Sequence, residues 1–596
     1  MSTMNLMLEP MAAKAQASVR TQERTPLYAD PREGRRALKL VLVVSSRIPA
    51  WINSLLDLVA DNPWLEVVVI PVTGATHGKE IEVPIDLRLF LMLERLLVSP
   101  VVSLIRRNTA SPLSREPLLT RAGVRLESGL RHDEGSQELS RQLARLKPDL
   151  VLLAGFSEWS AALAGAAPWG CWTLDGNLID EKHAGLPLLM PILAREEATP
   201  VSLELASASD PTSPLPLVTA WAGTRAMSFS QHRDLAFVKL PALLMRVLRN
   251  IADGASPAPR QQASVLRLVP PKNHYAMGTG LAVFWTTLGY ALQWVPRWRR
   301  NSKPWFVLFR EEGETLDPAS PRIGENRVLV APQGDYWADP FVVEDGGRQL
   351  VYLEEFIGRR RLGIIVCLEL LQNGTAQRLG VVLDEDSHMS YPQVFQWEGD
   401  WYMTVENCKA RRVSLYRATD FPLGWERVVD LITDRVCVDA TLHHHQGLWY
   451  LFGNVSECGA NASDELFLFM SERLEGPYRP HPCNPIVSDV RRSRPAGQLF
   501  LKDGQLIRPS QCCVPVYGAA TVFNQVTVLS PVHYSERPIS RLNPDWAPSL
   551  DGCHTYNKGQ TLEVLDVHGE PPGNGVRIDV VDFGPVSACE KKGRPA

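Results

Sequence analysis

The pattern of apolar and polar positions divides the chain into two halves of different texture. Near the N-terminus, Leu38–Ser45 is an almost unbroken apolar run rich in valine, which is typical of a parallel strand buried on both faces. A helical segment and a second apolar run over Leu65–Ile70 follow, and the alternation returns in the helical Ser136–Leu146 and the apolar Leu150–Ala154. Strands and helices that alternate in this way predict a doubly wound α/β domain over residues 37–255.

From Trp305 onward the pattern changes to short alternating strands separated by aspartate–glycine and similar turns. A repeat of about 50 residues runs through this half, which is the length of one four-stranded propeller blade. Four clear copies and a weaker closing copy lie over Ala338–Val343, Tyr391–Phe395, Val438–Leu442, Pro495–Phe500 and Gly552–Leu565. The repeats predict an all-β five-bladed propeller over residues 304–570.

Three further segments flank or connect the two predicted domains. Residues 1–36 carry mixed charges and no apolar stretch, so we expect a disordered leader, and we expect residues 571–596 to form a flexible tail. Residues 256–303 form a predicted linker that contains Met277–Val295, a stretch of 19 residues without a charge. An interdomain helix and a membrane-associated segment both fit this stretch, and its glycines, threonines and glutamine favour the helix.

Composition narrows the classes of partner. The formal net charge is -4, from 62 basic and 66 acidic side chains, so the chain lacks the positive field that holds a nucleic-acid backbone. Its ten cysteines include no C-x-x-C pair that would hold zinc or form a redox dithiol. Because the first residues carry no apolar signal, the expected location is the cytoplasm, either in solution or peripherally on a membrane.

Six short strings in the C-terminal half resemble a known family. They are Tyr336–Pro340, Ser390–Pro392, Leu415–Arg417, Phe421–Trp425, Arg494–Gly497 and Arg508–Gln511. With them, the region from Trp305 to about Gly569 resembles the propeller domain of glucosamine inositolphosphorylceramide transferases and their bacterial relatives. That domain is similar to the five-bladed propellers of glycoside hydrolases. The resemblance implies that this half of the chain binds or processes a sugar.

The N-terminal half resembles the formyltransferase fold, found in methionyl-tRNA formyltransferase and in sugar N-formyltransferases. That family carries its catalytic asparagine and histidine in an Asn-x-His segment after a buried strand. The corresponding stretch here is Trp172–Asn177, in which Thr173 and Asp175 stand where the asparagine and histidine are expected. The resemblance therefore implies a formyltransferase-like fold from which formyl transfer has been lost.

The main candidate chemistry is a set of carboxylates contributed by successive blades. The first strand of each blade lines the central funnel, so residues at equivalent places converge near the axis. Asp339 and Asp439 open the first strands of blades 1 and 3, and Glu406 ends the second strand of blade 2. Glycosyl transfer and hydrolysis both use a carboxylate base or nucleophile together with a carboxylic acid. We therefore predict that Asp339, Glu406 and Asp439 are catalytic, with Asp339 as the key carboxylate.

Other side chains are candidates for substrate binding. In the propeller they are polar or aromatic groups of the repeats, namely Glu355, Tyr391, Arg494 and Gln511. An aromatic ring would stack on a sugar face, and the arginine and glutamine would hold hydroxyls or a phosphate. In the N-terminal domain the candidates for a small acceptor lie in one loop: Asp175, Asn177 and His183. Simple capping of loop backbone is the alternative for these three, and no metal site is predicted.

Together these features predict a carbohydrate-active protein that transfers or binds a glycosyl unit in glycan, glycolipid or glycosylated-metabolite biosynthesis. Its expected partners are a sugar, a sugar nucleotide or a glycolipid, and not nucleic acid. One alternative is an N-formyl or acyl transferase with a sugar-recognition propeller, and only that alternative calls for a cofactor, a folate-type formyl donor. A second alternative is a non-catalytic scaffold of two degenerate enzyme folds. Hydrolysis and transfer stay open at this stage.

Overall fold

The computed structural model describes residues 24–29, 36–45, 47–48, 50–73, 83–97, 111–112, 122–154, 156, 159–174, 186–206, 215–254, 276–300, 303–311, 316–324, 326–372, 375–571, 576–577 and 580–583. The chain divides into two compact units. The α/β unit comprises residues 30–294 and 457–460, and the propeller unit comprises residues 1–29, 295–456 and 461–596.

The α/β unit is built on one eight-stranded sheet with the strand order β10-β9-β8-β7-β1-β3-β5, in which β6 also pairs with β3. Strands β2 and β4 form a separate two-stranded ladder. The bounds are β1 (Leu38–Ser45), β2 (Arg47–Ile48), β3 (Leu65–Thr73), β4 (Ser111–Pro112), β5 (Val124–Leu126), β6 (Leu130–Arg131), β7 (Leu150–Ala154), β8 (Cys171–Leu174), β9 (Ala198–Leu205) and β10 (Leu215–Gly223).

Strand β1 shows why this sheet is covered on both faces. Leu40 and Leu42 point into one apolar core, whereas Val41 and Val43, on the alternate face, point into a second. The sheet covered on both faces was predicted, and β1 has the predicted bounds. The sheet is nevertheless mixed, because β9 runs antiparallel to both β8 and β10.

Eight α-helices begin in the described part of the α/β unit. Their bounds are α1 (Ala50–Ala60), α2 (Ile85–Leu97), α3 (Gly135–Leu146), α4 (Ser160–Leu163), α5 (Leu189–Ala194), α6 (Phe229–Val238), α7 (Leu240–Ala252) and α8 (Thr279–Arg300). Helix α8 contains most of the uncharged stretch. No described helix has the length and apolarity needed to cross a bilayer. Packing of this stretch between the two units stays a prediction.

The propeller unit contains five sheets that correspond to the five predicted repeats. Blade 1 has β13 (Tyr336–Asp345), β14 (Arg348–Ile357), β15 (Leu362–Leu370) and β16 (Ala376–Leu383). Blade 2 has β17 (Ser390–Trp397), β18 (Asp400–Asn407), β19 (Arg412–Asp420) and β20 (Gly424–Ile432). Blade 3 has β21 (Cys437–His445), β22 (Leu448–Val455), β23 (Leu466–Ser471) and β24 (Arg479–Pro480). Blade 4 has β25 (Arg494–Pro495), β26 (Phe500–Lys502), β27 (Gln505–Cys512), β28 (Ala520–Leu529) and β29 (Tyr534–Leu542).

Blade 5 joins the two ends of the propeller. It consists of β30 (Leu550–Lys558), β31 (Leu562–Gly569), β11 (Trp305–Glu311) and β12 (Arg327–Leu329), so strands from both ends share one sheet. Antiparallel pairing of β11 with β31 closes the circle, and closure protects strand edges that would otherwise be exposed. The five-bladed architecture is therefore confirmed.

Two segments outside the predicted propeller bounds also belong to it. In the predicted flexible tail, β32 (Val576–Arg577) and β33 (Val580–Phe583) pair in parallel with β12 and β16. In the predicted disordered leader, the Thr25 N–H donates to the Thr433 carbonyl at 3.1 Å, and Leu27 is buried in an apolar core of the propeller. These parts of the leader and the tail are held on the propeller, in contrast to the prediction.

Candidate functional site

The hydrogen-bond ladder between the first and second strands is interrupted at an equivalent place in each blade. In blades 1, 2, 3 and 5 the register skips two residues, and in blade 4 the strand is interrupted between β25 and β26. Such bulges re-aim a side chain and are common at functional sites. We call the residues at these places the bulge ring: Asp339, Tyr391, Asp439, Gly497 and His554.

The backbone of the bulge ring is unusual. Asp339, Tyr391 and Asp439 have φ values of 51°, 56° and 52°, which lie in the left-handed region. Gly497 has a φ of 123°, and a Cβ there would collide with the carbonyl oxygen of Tyr556. Left-handed conformations are uncommon for residues other than glycine and cluster at functional sites. Their recurrence at equivalent places makes the propeller centre the candidate site.

A second set of side chains, which we call the polar ring, comes from the second strand of each blade: Glu354, Glu406, Asn454, Gln511 and Asp566. Two of them receive backbone N–H groups that the bulges release from the ladder. Asp566 Oδ2 accepts from the Asp339 N–H at 2.9 Å, and Glu406 Oε2 accepts from the Asp439 N–H. The polar ring thus stabilises the left-handed backbone conformation of Asp339 and Asp439.

Asp339 is the least compensated aspartate of the site. Its side chain is buried, and its Oδ1 accepts a hydrogen bond from the Thr555 hydroxyl at 2.7 Å. Burial, together with the charges of Asp439 and Asp566, raises the pKa of Asp339 to about 7, although His554 and the Thr555 hydroxyl oppose the shift. A carboxyl group with such a pKa exchanges its proton at neutral pH, which suits a general acid or base.

Asp439 has the same backbone conformation as Asp339 but very different partners. Both of its carboxylate oxygens contact the guanidinium of Arg494, and Gln511 Nε2 donates to Oδ2 at 2.6 Å. Burial alone would lower the pKa of Arg494, but the charge of Asp439 outweighs this effect and raises it. Asp439 and Arg494 therefore form a buried ion pair. The predicted substrate-binding residues Arg494 and Gln511 both contact the predicted catalytic Asp439.

Glu406 and Glu354 are buried carboxyl groups beside the two aspartates. Burial and then the charge of Asp439 raise the pKa of Glu406 to about 8, against the opposing effects of Arg494 and Ser390. Burial and then the charge of Asp339 raise the pKa of Glu354 well above its ordinary value. At neutral pH Glu406 therefore holds a proton that an ordinary carboxyl group would have lost, and it offers a proton donor beside Asp439.

His554 and Asp566 complete the side of the site at Asp339. His554 Nδ1 lies 2.6 Å from Asp566 Oδ2, and its Nε2 faces Asp339 Oδ1 at 4.0 Å. Burial lowers the pKa of His554, but the charge and hydrogen bond of Asp566 outweigh burial and raise it. Asp339 therefore faces His554, and Asp566 holds the imidazole of His554 in place.

The same three residues are the candidate metal ligands of the described chain, because their ligand atoms lie within 4.8 Å of one another. Asp566, however, is already saturated. Its Oδ1 accepts from the backbone N–H groups of His554 and Thr555 at 3.1 and 2.8 Å, and its Oδ2 accepts from the Asp339 N–H. A cation would compete with these bonds, so the geometry fits a hydrogen-bonded relay better than a metal centre.

Tyr391, in the first strand of blade 2, contacts three other blades. Its hydroxyl accepts from the Gly497 N–H of blade 4 at 2.6 Å and contacts Thr441 Oγ1 of blade 3 at 2.9 Å. Its ring packs edge-on against Phe341 of blade 1, with 4.9 Å between centroids. These contacts make Tyr391, of which only 1% is exposed, a crosslink between blades, and the sugar stacking predicted for its ring stays a prediction.

Glu355 also has structural partners. Its Oε2 accepts from Arg378 at 2.8 Å, and its Oε1 accepts from the Trp337 indole at 3.1 Å, all within blade 1. Successive side chains of a strand point to opposite faces, so only one of the two adjacent glutamates faces the charges of the site. The contacts select Glu354, whose pKa responds to Asp339, and give no support for substrate binding by Glu355.

Partly exposed aromatic rings lie over His554 and Arg494. Trp305 stacks on His554 with 4.0 Å between ring centroids, and the Arg494 guanidinium lies 4.7 Å from the centre of the Tyr517 ring. Trp305 and Tyr517 also contact each other edge-on at 6.4 Å. Aromatic faces with partial exposure are suited to stacking on a sugar ring.

Some site residues were not selected from the sequence, and others cannot be placed. Glu354, His554 and Asp566 were not predicted, although His554 stands in the fifth repeat where Asp339 stands in the first. That alignment was the signal that would have found His554. The predicted acceptor ligands of the N-terminal domain, Asp175, Asn177 and His183, lie outside the described residues.

Comparisons with known proteins agree with the resemblance of the C-terminal half. Residues 326–582 match the family described as glucosamine inositolphosphorylceramide transferase 1, N-terminal. The match does not reach residues 37–255, so it gives no support for a formyltransferase-like domain, which stays a prediction. A glucosamine inositolphosphorylceramide transferase 1 from Oryza sativa subsp. japonica is 33% identical over 210 residues, and one from Arabidopsis thaliana is 34% identical over 206 residues.

These relatives are longer proteins than the shared region. The alignments cover 35% and 34% of this chain, and the chain spans only 28% and 27% of the relatives' lengths. Among solved structures, a family 117 glycoside hydrolase from Zobellia galactanivorans has a TM-score of 0.30 at 13% identity, covering 44% of this chain and 91% of that one. The catalytic domain of a Coprinopsis cinerea GH62 α-L-arabinofuranosidase has the same TM-score and identity, covering 40% and 94%. The chain is thus similar, over its propeller, to the N-terminal region of glucosamine inositolphosphorylceramide transferases.

Proposed function

We propose that the propeller centre binds a glycosyl unit and transfers it in glycan or glycolipid biosynthesis. The observation that carries the proposal is the environment of Asp339, a buried carboxyl group whose pKa is raised to about 7. Pairs of carboxyl groups whose environments separate their proton affinities are typical of glycosyl chemistry. The match of residues 326–582 to a glycosyl-transferring family supports the same class.

The roles follow from the state of each carboxyl group. In its ionised form, Asp339 accepts the proton of an acceptor hydroxyl while that oxygen bonds to the anomeric carbon of the donor sugar. Glu406, with a pKa of about 8, gives its proton to the oxygen that leaves the same carbon. Asp439 contributes its charge, which raises the pKa of both other groups while Arg494 holds it in place.

The substrate class is proposed from the relatives' names and from the polar groups at the site. A sugar that is attached, or is to be attached, to an inositol-phosphate lipid is the substrate that the relatives' name suggests. Gln511 Oε1 is buried without a hydrogen-bond partner among the described residues, so it offers an acceptor for a sugar hydroxyl. Trp305 and Tyr517 offer aromatic faces for stacking.

A second candidate is recognition without transfer. The matched family is defined by the N-terminal region of its members, and the chain spans less than a third of the relatives' lengths. The three predicted catalytic carboxyl groups are also buried. A propeller that holds the sugar of a glycolipid, without cleaving or forming a bond, fits these observations.

The two candidates separate in one assay. The protein is incubated with nucleotide-activated amino sugars and an inositolphosphorylceramide acceptor, and product is detected by mass spectrometry while acceptor binding is measured in parallel. Transfer predicts product from the wild type, and a loss of roughly a hundredfold or more in Asp339→Asn. Asp386→Asn is the matched control, because Asp386 is an exposed aspartate with a similar φ of 56°.

Each outcome has a distinct meaning. Binding without product in the wild type supports recognition and rejects transfer for these substrates. Equal product from wild type and Asp339→Asn rejects the role of Asp339. Neither binding nor product, across the set of activated sugars, rejects the proposed substrate class.

A further inference from the structure

Helix α2 is apolar on two sides, although only one side faces the core of the α/β unit. Its inner face contributes Leu87 and Phe90 to the large apolar core. On the outer face, large apolar side chains recur at i, i+4, i+7, i+8 and i+11, which traces one continuous stripe on a helix. These exposed residues are Ile85, Leu89, Met92, Leu93 and Leu96.

Helix α8 continues this surface. Gly280 approaches the backbone of Asp86 so closely that a Cβ would collide with it, and the Leu281 N–H donates to Asp86 Oδ2 at 3.2 Å. Val283 is fully buried in the same core as α2. The exposed apolar residues at the start of and along α8 are Met277, Leu281, Phe284, Trp285 and Leu292. We call these and the five exposed residues of α2 the apolar face.

The two helices carry more positive than negative residues. Their only carboxylates are Asp86, which accepts from Leu281, and Glu94, which is buried and accepts from the Ser228 hydroxyl at 2.7 Å and the Ser230 N–H at 3.0 Å. Against these two acids the helices carry five arginines: Arg88, Arg95, Arg297, Arg299 and Arg300. The apolar face therefore belongs to a cationic part of a chain whose formal net charge is -4.

We propose that the apolar face docks on the surface of a bilayer that contains anionic lipids. Exposed Trp, Phe, Leu and Met side chains on two helices whose sequences carry five arginines and two carboxylates are complementary to acyl chains under a negatively charged headgroup layer. In this proposal the two helices lie in the plane of the interface, with the apolar face toward the acyl chains. Ten large exposed apolar side chains on two contacting helices also contrast with the singly scattered apolar residues of ordinary soluble surfaces.

A second copy of the chain is the competing occupant, and charge disfavours it. A symmetric pair through this face would bring together two copies of helices that each carry an excess of positive charge. An anionic bilayer, by contrast, supplies the missing negative charge. This proposal does not depend on the chemistry assigned to the propeller.

The test is co-sedimentation of the full chain with two kinds of vesicle, phosphatidylcholine alone and phosphatidylcholine mixed with phosphatidylglycerol. The wild type is expected to sediment with the mixed vesicles and to be released by salt, because the attraction is partly electrostatic. The double variant Leu89→Glu with Leu281→Glu should bind about tenfold more weakly or worse, since it places two charges in the apolar face. Leu501→Glu is the matched control, because Leu501 is an even more exposed leucine, at 71%, on the propeller.

A wild-type protein that sediments with neither vesicle overturns the proposal without any variant. Equal binding by the wild type, the double variant and Leu501→Glu overturns it as well, because the apolar face would then be irrelevant. Light scattering on the same samples tests the second copy. A wild-type dimer that the double variant converts to monomer, with no vesicle binding, assigns the face to self-association and rejects the bilayer.

Discussion

Two aspartates at equivalent places in blades 1 and 3 show how one backbone framework gives two chemical states. Asp339 and Asp439 share a left-handed backbone, a bulge and nearly complete burial, with 4% and 1% of each residue exposed. Asp439 is bound by Arg494 and Gln511, whereas Asp339 receives one hydroxyl and faces His554 at 4.0 Å. Burial therefore raises the pKa of Asp339 to about 7, because its charge is left without a full partner.

The two aspartates are buried to a similar degree, so the difference between them comes from the partners that compensate the charge of each carboxylate. A buried carboxylate with a hydrogen-bonded arginine is a fixed charge, and the same carboxylate without one exchanges a proton. Changing the partners should therefore move each aspartate toward the behaviour of the other.

Arg494→Met should have the largest effect, because it leaves Asp439 buried without its cation. Removing one member of a buried ion pair typically costs about 3–5 kcal/mol in the free energy of unfolding. Urea denaturation at neutral pH measures the loss. Arg417→Met is the control, since Arg417 and its partner Asp400 are both roughly half exposed and such surface pairs contribute about 0–1 kcal/mol. Equal losses in the two variants would show that Asp439 does not depend on Arg494.

The pH dependence of stability should distinguish Asp339 next. Its pKa is 3.8 in the unfolded chain and about 7 in the folded one, so the folded state binds the proton more tightly. The stability contributed by the protonated group is present below about pH 4 and is lost as the pH rises through about 7. The free energy of unfolding of the wild type should therefore fall relative to Asp339→Asn by roughly 2–4 kcal/mol across this window. Thermal melts at a series of pH values measure it.

Asp386→Asn provides the baseline for that series, because Asp386 is exposed and carries the same substitution. Its melting temperature should follow that of the wild type at every pH. If Asp339→Asn also follows the wild type, the proton of Asp339 is not held in the way that the structure implies.

Tyr391→Phe should have the smallest of the three effects. The substitution keeps the ring but leaves the Gly497 N–H without its partner, which costs about 1–2 kcal/mol. Tyr402→Phe, on a partly exposed ring of blade 2, should change the free energy of unfolding by less than about 0.5 kcal/mol. Equal free energies of unfolding in the two variants would show that the Tyr391 hydroxyl does not crosslink the blades.

Much of the fold could be predicted because its signals are local. The valine-rich run of β1 and the repeat of short strands are periodic patterns that depend on neighbours in sequence. Blade 5 was only weakly visible, because half of its strands come from Trp305–Leu329, far away in the chain. Residues 24–29 were assigned to a disordered leader because their partners, such as Thr433, lie some four hundred residues away.

The site was predicted in part for the same reason. Asp339 and Asp439 were found because each is an acidic residue that opens the first strand of its repeat, and residues at equivalent places of a propeller converge near the axis. His554 occupies the equivalent place in the weaker fifth repeat and is not a carboxylate, so it was not selected. The sequence alone did not show that Glu354, rather than Glu355, interacts with Asp339, because it does not fix which face of the strand points to the site.

The most direct test of the account is an infrared titration of the carboxyl groups in the folded protein. Wild-type spectra recorded between about pH 5 and 8, minus those of Asp339→Asn, isolate the protonated C=O band of one residue. The protonated C=O band of Asp339 should disappear with a midpoint near pH 7, since the pKa of this group is about 7. A difference spectrum in which Asp339 is ionised throughout this range would contradict it.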